Sequence, residues 1–510
     1  MNTTTPTATV EPCPAALDFS FKAEFSQATF RDRCLNDRAA RFADGALRHP
    51  ETSIPRMAGG SGGAEGLYRF IANPKVTVAN VSQAHEQQTL LRCQEATGTI
   101  LLVHDTTTFG YGKDTKRQGM GIIAGGGIGF LAHMTLAVAE ESHLPLGVLK
   151  CTPFVRPPDA DGAPAATQAS VPAGATAASK AAKQKRKRER NPEVENESSR
   201  WHKQALATGK ALGPVAHVHV ADRESDDYNY LAELFGPGEL FVTRVSTDRV
   251  LGADMKLYEK MDGMVVQLCR QVHLSQREPA PGAKQRKTNP PREARLAKLE
   301  VSAGTITIPR TSRAPSSTPK ALELHYVLVR EIDVPAGLEA VVWRLVTNLP
   351  VSTADEIARV VDIDRRRWNI EEYFKALKTG CSFNDHQLDS YDGLTKLLAL
   401  LLPVAWKLLE IRTVIRIRPE APATVVLTAQ QVECLRILHD KQHPKLKLPP
   451  QPTVNEAMYA LARPGGHFKQ NGAPGWQILG RGLHRLLQAE EDALALLERF
   501  PDLRAKPIKR

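Results

Sequence analysis

RRRWNIEEYFKALKTG, residues 365–380, decides how the chain is read. Wound as a helix at about 100° per residue, it places Arg367, Glu371, Lys375 and Lys378 inside one arc of roughly 80°, because i, i+4, i+8 and i+11 share a face. Ile370, Tyr373, Phe374 and Leu377 form the adjoining apolar stripe, which docks such a helix on a core. One carboxylate therefore stands among three cations at the margin of a buried face, and Glu372 points about 100° away. A polyanionic substrate lying across this helix accounts for the cations, and a metal ion accounts for the carboxylate. Alone, the same residues also read as a surface helix with i,i+4 Glu–Lys pairs, each contributing about 0.2–0.5 kcal/mol.

Upstream, two more acids occupy comparable places. TILLVHDTTTF (99–109) is a β-branched run that carries Asp105 into a row of threonines. AHVHVADRESDDYNYLAELF (216–235) reads as a strand, Asp222 at its end, then a helix. A single acid at a strand end is also a turn-former or a helix N-cap. Together the three match a plan in which a mixed sheet sets two aspartates side by side and a helix adds a glutamate. Three carboxylates at one spot repel, and hard divalent cations relieve that repulsion. Two such ions about 4 Å apart activate a water or a 3′-hydroxyl and stabilise the leaving oxygen of a phosphodiester. The chain has neither G-x-x-x-x-G-K-[ST] nor H-E-x-x-H. GMGIIAGGGIGF (119–130) is followed by strand-like LAHMTLAVAEE rather than a helix, so it reads as a hairpin or loop and not as a dinucleotide fingerprint.

The totals agree with an acidic macromolecular partner. The chain has 510 residues, a formal net charge of +11 and a pI near 9.3; nucleic acid is the commonest partner of such a balance. Its seven cysteines never form a C-x-x-C pair, which argues against a zinc site and a disulfide framework and fits a reducing, cytoplasmic setting. The N-terminus is polar and Thr-rich, unlike a signal peptide, and the longest apolar run, 397–406, is too short for a bilayer and contains Pro403. No membrane association is expected.

In chain order, residues 1–16 read as a disordered leader and 17–96 as a helical unit made basic by Arg31, Arg33, Arg38 and Arg41. That suits a DNA reader, although a solvated face has the same composition. Residues 97–380 hold the strands and the three acids. Within them, 157–198 is Ala/Pro/Thr-rich and ends in KAAKQKRKRERN, a composition that builds no core and reads as a flexible basic insertion suited to phosphate contact. Residues 238–350 form a β-rich stretch, and 381–510 are helical.

VHDTTTFGYG (103–112), VADRESDDYNYL (220–231) and RRRWNIEEYFKALKTG resemble the three catalytic blocks of the DDE transposases of the insertion-sequence-four family. LYRFIANPKV (67–76) is similar to that family's N-terminal end-binding domain, and LARPGGHFKQNGAPGW (461–476) to its C-terminal domain. The third block is the most specific: the family pattern Tyr-x2-Arg-x3-Glu-x6-Lys fits Arg367, Glu371 and Lys378, with Asp364 where the tyrosine belongs. The resemblance implies an α/β, RNase H-like catalytic core with a β-rich insertion at 238–350, flanked by a helical DNA-binding domain and a helical C-terminal dimerisation domain.

The resemblance also implies a nucleoid-associated DNA transposase. Such an enzyme nicks transposon ends by hydrolysis, passes through a hairpin and joins the ends to target DNA as a homodimer. Asp105, Asp222 and Glu371 would be the catalytic residues and would hold two Mg2+ ions, with Mn2+ able to substitute. Arg367, Lys375 and Lys378 would grip phosphates, and Trp343 would stack on a flipped base; read from the strand AVVWRLVTNLP alone, Trp343 is a core residue. Asp364 would then present an acid to DNA, with Arg365 or Arg366 compensating. The other reading, from a different class, is a catalytically inactive transposase-derived DNA-binding protein or transposition inhibitor, against which the intact acids speak.

Overall fold

The structure is a computed structural model that describes residues 20–156, 197–274, 293–467 and 474–500, apart from residues 27, 31, 51, 114, 253, 254 and 313. Five helices lead: α1 (Lys22–Ser26), α2 (Arg33–Arg48), α3 (Ile54–Met57), α4 (Ser61–Ala72) and α5 (Val78–Glu95). Asp32 caps α2 through the Cys34 amide, and Thr77 and Asn80 close a reciprocal capping box on α5; such caps contribute about 1 kcal/mol each. The Gly-rich run 59–66 reads as a break, yet α4 begins inside it. A Cβ on Gly63 would meet the Ala58 carbonyl oxygen at 1.7 Å, so glycine lets this helix turn tightly off the one before it.

The sheet follows, with β1 (Ile100–Gly110), β2 (Gly121–Ile122), β3 (Ile128–Ala139) and β4 (Pro145–Phe154). Next come α6 (Glu197–Leu212), β5 (His217–Ala221), a 3-10 turn at Arg223–Ser225, α7 (Tyr228–Phe235) and β6 (Phe241–Arg244). A small ribbon, β7 (Val250–Gly252) with β8 (Met255–Lys256), precedes α8 (Leu257–Asp262), β9 (Leu268–Leu274), β10 (Arg295–Pro309), β11 (Ala321–Ile332) and β12 (Val342–Thr347). The rest is helical: α9 (Ala354–Arg366), α10 (Trp368–Lys375), a π-helical turn at Ala376–Gly380, α11 (Tyr391–Ile417), α12 (Ala429–Gln442), α13 (Val454–Ala462) and α14 (Trp476–Arg499).

One mixed sheet of ten strands runs β2-β3-β1-β5-β6-β12-β11-β10-β9, with β4 also on β3. β1 is antiparallel to β3 and parallel to β5, β5 is parallel to β6, and β12 returns antiparallel on β6. The β-rich stretch 238–350 continues the same sheet: β12 satisfies the open edge of β6. The Gly-rich run 119–130 forms the β2–β3 turn, as its sequence context predicts.

Alternation sorts the two faces of the sheet. Leu101, Val103, Val218, Val220 and Val242 share one apolar cluster with Val360 and Val361 of α9, Ile370 and Tyr373 of α10, and Leu397 of α11. Ala221 and Phe241 face the other way, toward α6 and α7. Phe21, Phe42 and Phe70 belong to the first cluster too, so the N-terminal helices and the sheet share one continuous core. The leader 1–16 lies outside the described residues, as does the basic insertion 157–198 except for its last two positions, which open α6. No described helix is long and apolar enough to cross a membrane.

Candidate active site

Asp105 follows Val103 on the α9/α10 side of β1, and Asp222 follows Val220 beyond the end of β5. The register His104 opposite Ala221 makes the next pair along these parallel strands Asp105 and Asp222. Asp222 thus sits just past the carboxyl end of β5, whereas Asp105 lies midway along β1, which does not end at the acid but runs on to Gly110. Asp105 Oδ1 accepts from the Thr106 amide at 2.7 Å, and Asp222 Oδ1 accepts from the Glu224 amide at 2.9 Å. Asp222 is therefore an N-cap for the turn Arg223–Ser225 as well as a site acid.

Glu371 enters from the first turn of α10, half-buried, and accepts from Arg367 Nη2 at 2.9 Å. Burial, then Asp222, then the weaker push of Glu371 raise the Asp105 carboxyl to about 8, although the Thr106 amide and Arg367 pull it back. The three acids are electrostatically joined. Their second oxygens, Asp105 Oδ2, Asp222 Oδ2 and Glu371 Oε2, accept no hydrogen bond from any described residue. An all-oxygen, like-charged donor set of this kind fits Mg2+. The three do not close to within 4.8 Å of one another; among the described residues only His217, His219 and Glu239 do so.

The cations divide. Arg367 is buried at the joint between α9 and α10, and its Nε has no partner among the described residues. Lys378 lies on the π-helical turn, half-buried; burial lowers its pKa and Asp105 works against that loss of charge. Lys375 leaves the group, contrary to the single-helix reading. Its ammonium is 2.8 Å from Glu372 Oε1 and 4.9 Å over the Trp368 ring. Lys375 keeps its helix phase with Glu371 inside the regular span of α10, but its long side chain reaches the carboxylate three residues back, Glu372, instead of the one four back. Glu372 is itself buried beneath Lys375, Arg412 and Arg416, on the side away from Glu371.

Asp364 is corrected more sharply. It does not present an acid to DNA: it is 1% exposed and holds Arg244 of β6 by two hydrogen bonds, at 2.8 and 2.6 Å. Burial works against the Arg244 charge, but Asp364, Glu371 and Asp222 together keep its pKa above the usual value. Trp343 of β12 is half-buried, with the Arg244 guanidinium 5.4 Å from its ring centroid. Arg244 is thus a site cation that sequence reasoning passed over. The available signal was its position at the end of ELFVTRV, the strand-end place that Asp222 also occupies.

These elements define the class: a mixed α/β protein whose central parallel strands carry paired acids under a cation-rich helix. Residues 20–76 match the family described as Transposase DNA-binding, which covers α1 to α4 and the loop after them. Among solved structures, the chain is similar to a piggyBac transposase in a synaptic complex with hairpin DNA, at 9% identity over 93% of this chain and 78% of that one, with a TM-score of 0.35. A score that low does not define a shared fold.

Proposed function

We propose that the chain is a DNA transposase of the DDE type, in the insertion-sequence-four family and nearest in its three blocks to the bacterial transposon-five enzyme. The observation that carries this reading is Asp105 and Asp222 on adjoining parallel strands with Glu371 on the helix packed over them, in a chain whose residues 20–76 match a transposase DNA-binding domain. The strand order β4-β3-β1-β5-β6, antiparallel for three strands and parallel for two, supports an RNase H-like core.

In this reading Asp105, Asp222 and Glu371 hold two Mg2+ ions, replaceable by Mn2+. Bound there, the ions supply Lewis acidity to the scissile phosphate and to the attacking oxygen. Arg367, Lys378 and Arg244 draw the anionic backbone to the acids and keep it in place through hydrogen bonds. Trp343, held against Arg244, offers a ring face for an extruded base. The basic chain binds transposon ends and then target DNA as a homodimer in the bacterial nucleoid.

The test is a Mg2+-dependent cleavage assay on a plasmid carrying the DNA that flanks this coding sequence. Nicks at defined positions, lost with EDTA and with Asp105→Asn, support the reading. Tight binding without metal-dependent cleavage overturns it in favour of an inactive DNA-binding protein or inhibitor.

A further inference from the structure

On the sheet face opposite the acids, His217, His219 and Glu239 bring one ligand atom each within 4.8 Å of one another. The H-x-H spacing on β5 sends both rings to one side, and Glu239 stands two residues before β6. No step of the phosphodiester chemistry uses them. The His219 side chain is fully buried, while those of His217 and Glu239 are 11% and 19% exposed, which leaves the trio open on one side.

The hydrogen-bond directions carry the argument. His217 Nδ1 lies 2.7 Å from the Val215 carbonyl oxygen. A carbonyl only accepts, so Nδ1 bears the proton and Nε2 of the neutral ring is a lone pair. That lone pair faces Glu239 Oε2 at 2.7 Å. Two lone pairs held so close need a positive charge between them. His219 Nε2 approaches the same oxygen at 3.3 Å, and its Nδ1 is 2.9 Å from His104 Nε2. Each ring is therefore anchored through the nitrogen that faces away from Glu239, which is how imidazole ligands are oriented around metals. Glu239 Oε1 accepts no hydrogen bond from a described residue and lies 2.8 Å from where a Cβ on Gly209 would be, so α6 passes without a side chain in the way.

We propose that His217, His219 and Glu239 form a second metal site, for a divalent transition ion of the Zn2+ or Co2+ class, separate from the acidic cluster. Two imidazoles and a carboxylate suit such ions and disfavour Mg2+, which prefers oxygen. The site ties the start of β5 to the segment leading into β6, the two parallel strands whose far ends present Asp222 and Arg244. With the ion on Nε2, His219 donates from Nδ1 to His104, and His104 donates from its own Nδ1 to Thr135 Oγ1, 3.0 Å away. The spacing of the cysteines gives no hint of this site, because its ligands are histidines. It does not depend on the transposase reading.

The untagged full-length chain, freed of metal by chelation, is titrated with Co2+ alone and then with Zn2+. Expected is one Co2+ with the visible absorption of a low-coordinate site, displaced by Zn2+ but not by Mg2+, together with a rise in Tm on Zn2+ addition. Asp105→Asn retains the absorption. His217→Ala and Glu239→Gln abolish it and weaken binding at least tenfold, with unchanged far-UV circular dichroism; Glu239→Gln gives the same reading if His217→Ala does not fold. Absence of the absorption, its persistence in both variants, or its loss in Asp105→Asn overturns the proposal. His217 is then an imidazolium that donates to both Val215 and Glu239.

Discussion

Arg244 and Asp364 form a two-point ion pair, Nε to Oδ1 at 2.8 Å and Nη2 to Oδ2 at 2.6 Å, joining the end of β6 to the last turn of α9. It locks the helix that leads into Arg367 and Glu371 onto the sheet that carries the aspartates. It also accounts for an acid at the position where the resembled family has tyrosine. The residue has turned inward to become a structural partner, and Arg244 rather than Arg365 or Arg366 is the cation it brings to the site. Arg365 is engaged with Asp362 at 3.1 Å and Arg366 with His143.

Removing one partner of such a pair leaves the other buried and unpaired. Asp364→Asn is expected to lower unfolding free energy by about 3 kcal/mol, read from urea denaturation. Asp364→Tyr should be at least as destabilising and should add no DNA affinity. Tighter DNA binding by Asp364→Tyr would show that the position faces the substrate after all.

A second expectation concerns pH. The Asp105 carboxyl stands at about 8 in the folded chain, against about 3.9 when unfolded. Between those values the folded state binds the extra proton, so stability falls as pH rises from about 4 to about 8 and is flat with respect to this group above that. Metal-free protein should therefore lose Tm across that window, Asp105→Asn should lose less, and saturating Mg2+ should shrink the difference. A Tm that rises with pH in EDTA, equally in both proteins, would contradict the electrostatic coupling of the three acids.

How far the sequence reaches depends on the range of the interaction. The adjacency of Asp105 and Asp222 was legible because each follows a short apolar strand pattern, although β1 continues past its acid to Gly110. The apolar stripe Ile370, Tyr373, Phe374 and Leu377 was legible from local periodicity, and all four are buried. The partner of Lys375 was not, because helix phase places both Glu371 and Glu372 within reach of a lysine three or four residues on and does not choose between them. Asp364 was misjudged because its partner is 120 positions away in sequence. The continuity of the sheet past β6 depends on strand pairing of similar range, Leu345 opposite Arg244, which no local pattern reveals.

In the proposed reading, Trp343 is the residue whose loss would separate DNA binding from base extrusion. It is half-buried and packed beside Arg244. Trp343→Ala should leave binding of transposon-end DNA nearly unchanged but reduce hairpin formation by about ten- to a hundredfold, the range set by one base–aromatic stack. Trp343→Phe should recover most of it. Equal loss of binding and hairpin formation in Trp343→Ala would reduce the tryptophan to a packing role.

The sharpest comparison is between neighbours, Glu371 and Glu372. Glu371 is half-exposed, pairs with Arg367 and bears on Asp105. Glu372 is buried, accepts from Lys375 Nζ at 2.8 Å and Trp368 Nε1 at 3.3 Å, and lies 3.6 Å from Arg412 Nε. Lys375 and Arg412 therefore report on Glu372 and the packing of α10 against α11, not on the acids. In the proposed reading, Glu371→Gln keeps shape and hydrogen bonding but removes the charge that would hold a second ion, so end cleavage should fall by several orders of magnitude while DNA binding, set by phosphate contacts, persists. Glu372→Gln removes charge-assisted hydrogen bonds and should lower unfolding free energy by about 2 kcal/mol, with cleavage per folded molecule near wild type. Urea denaturation and single-turnover cleavage on both variants separate the two effects. If Glu372→Gln abolishes cleavage in protein that remains folded while Glu371→Gln cuts normally, α10 presents the other carboxylate and the site assignment falls with it.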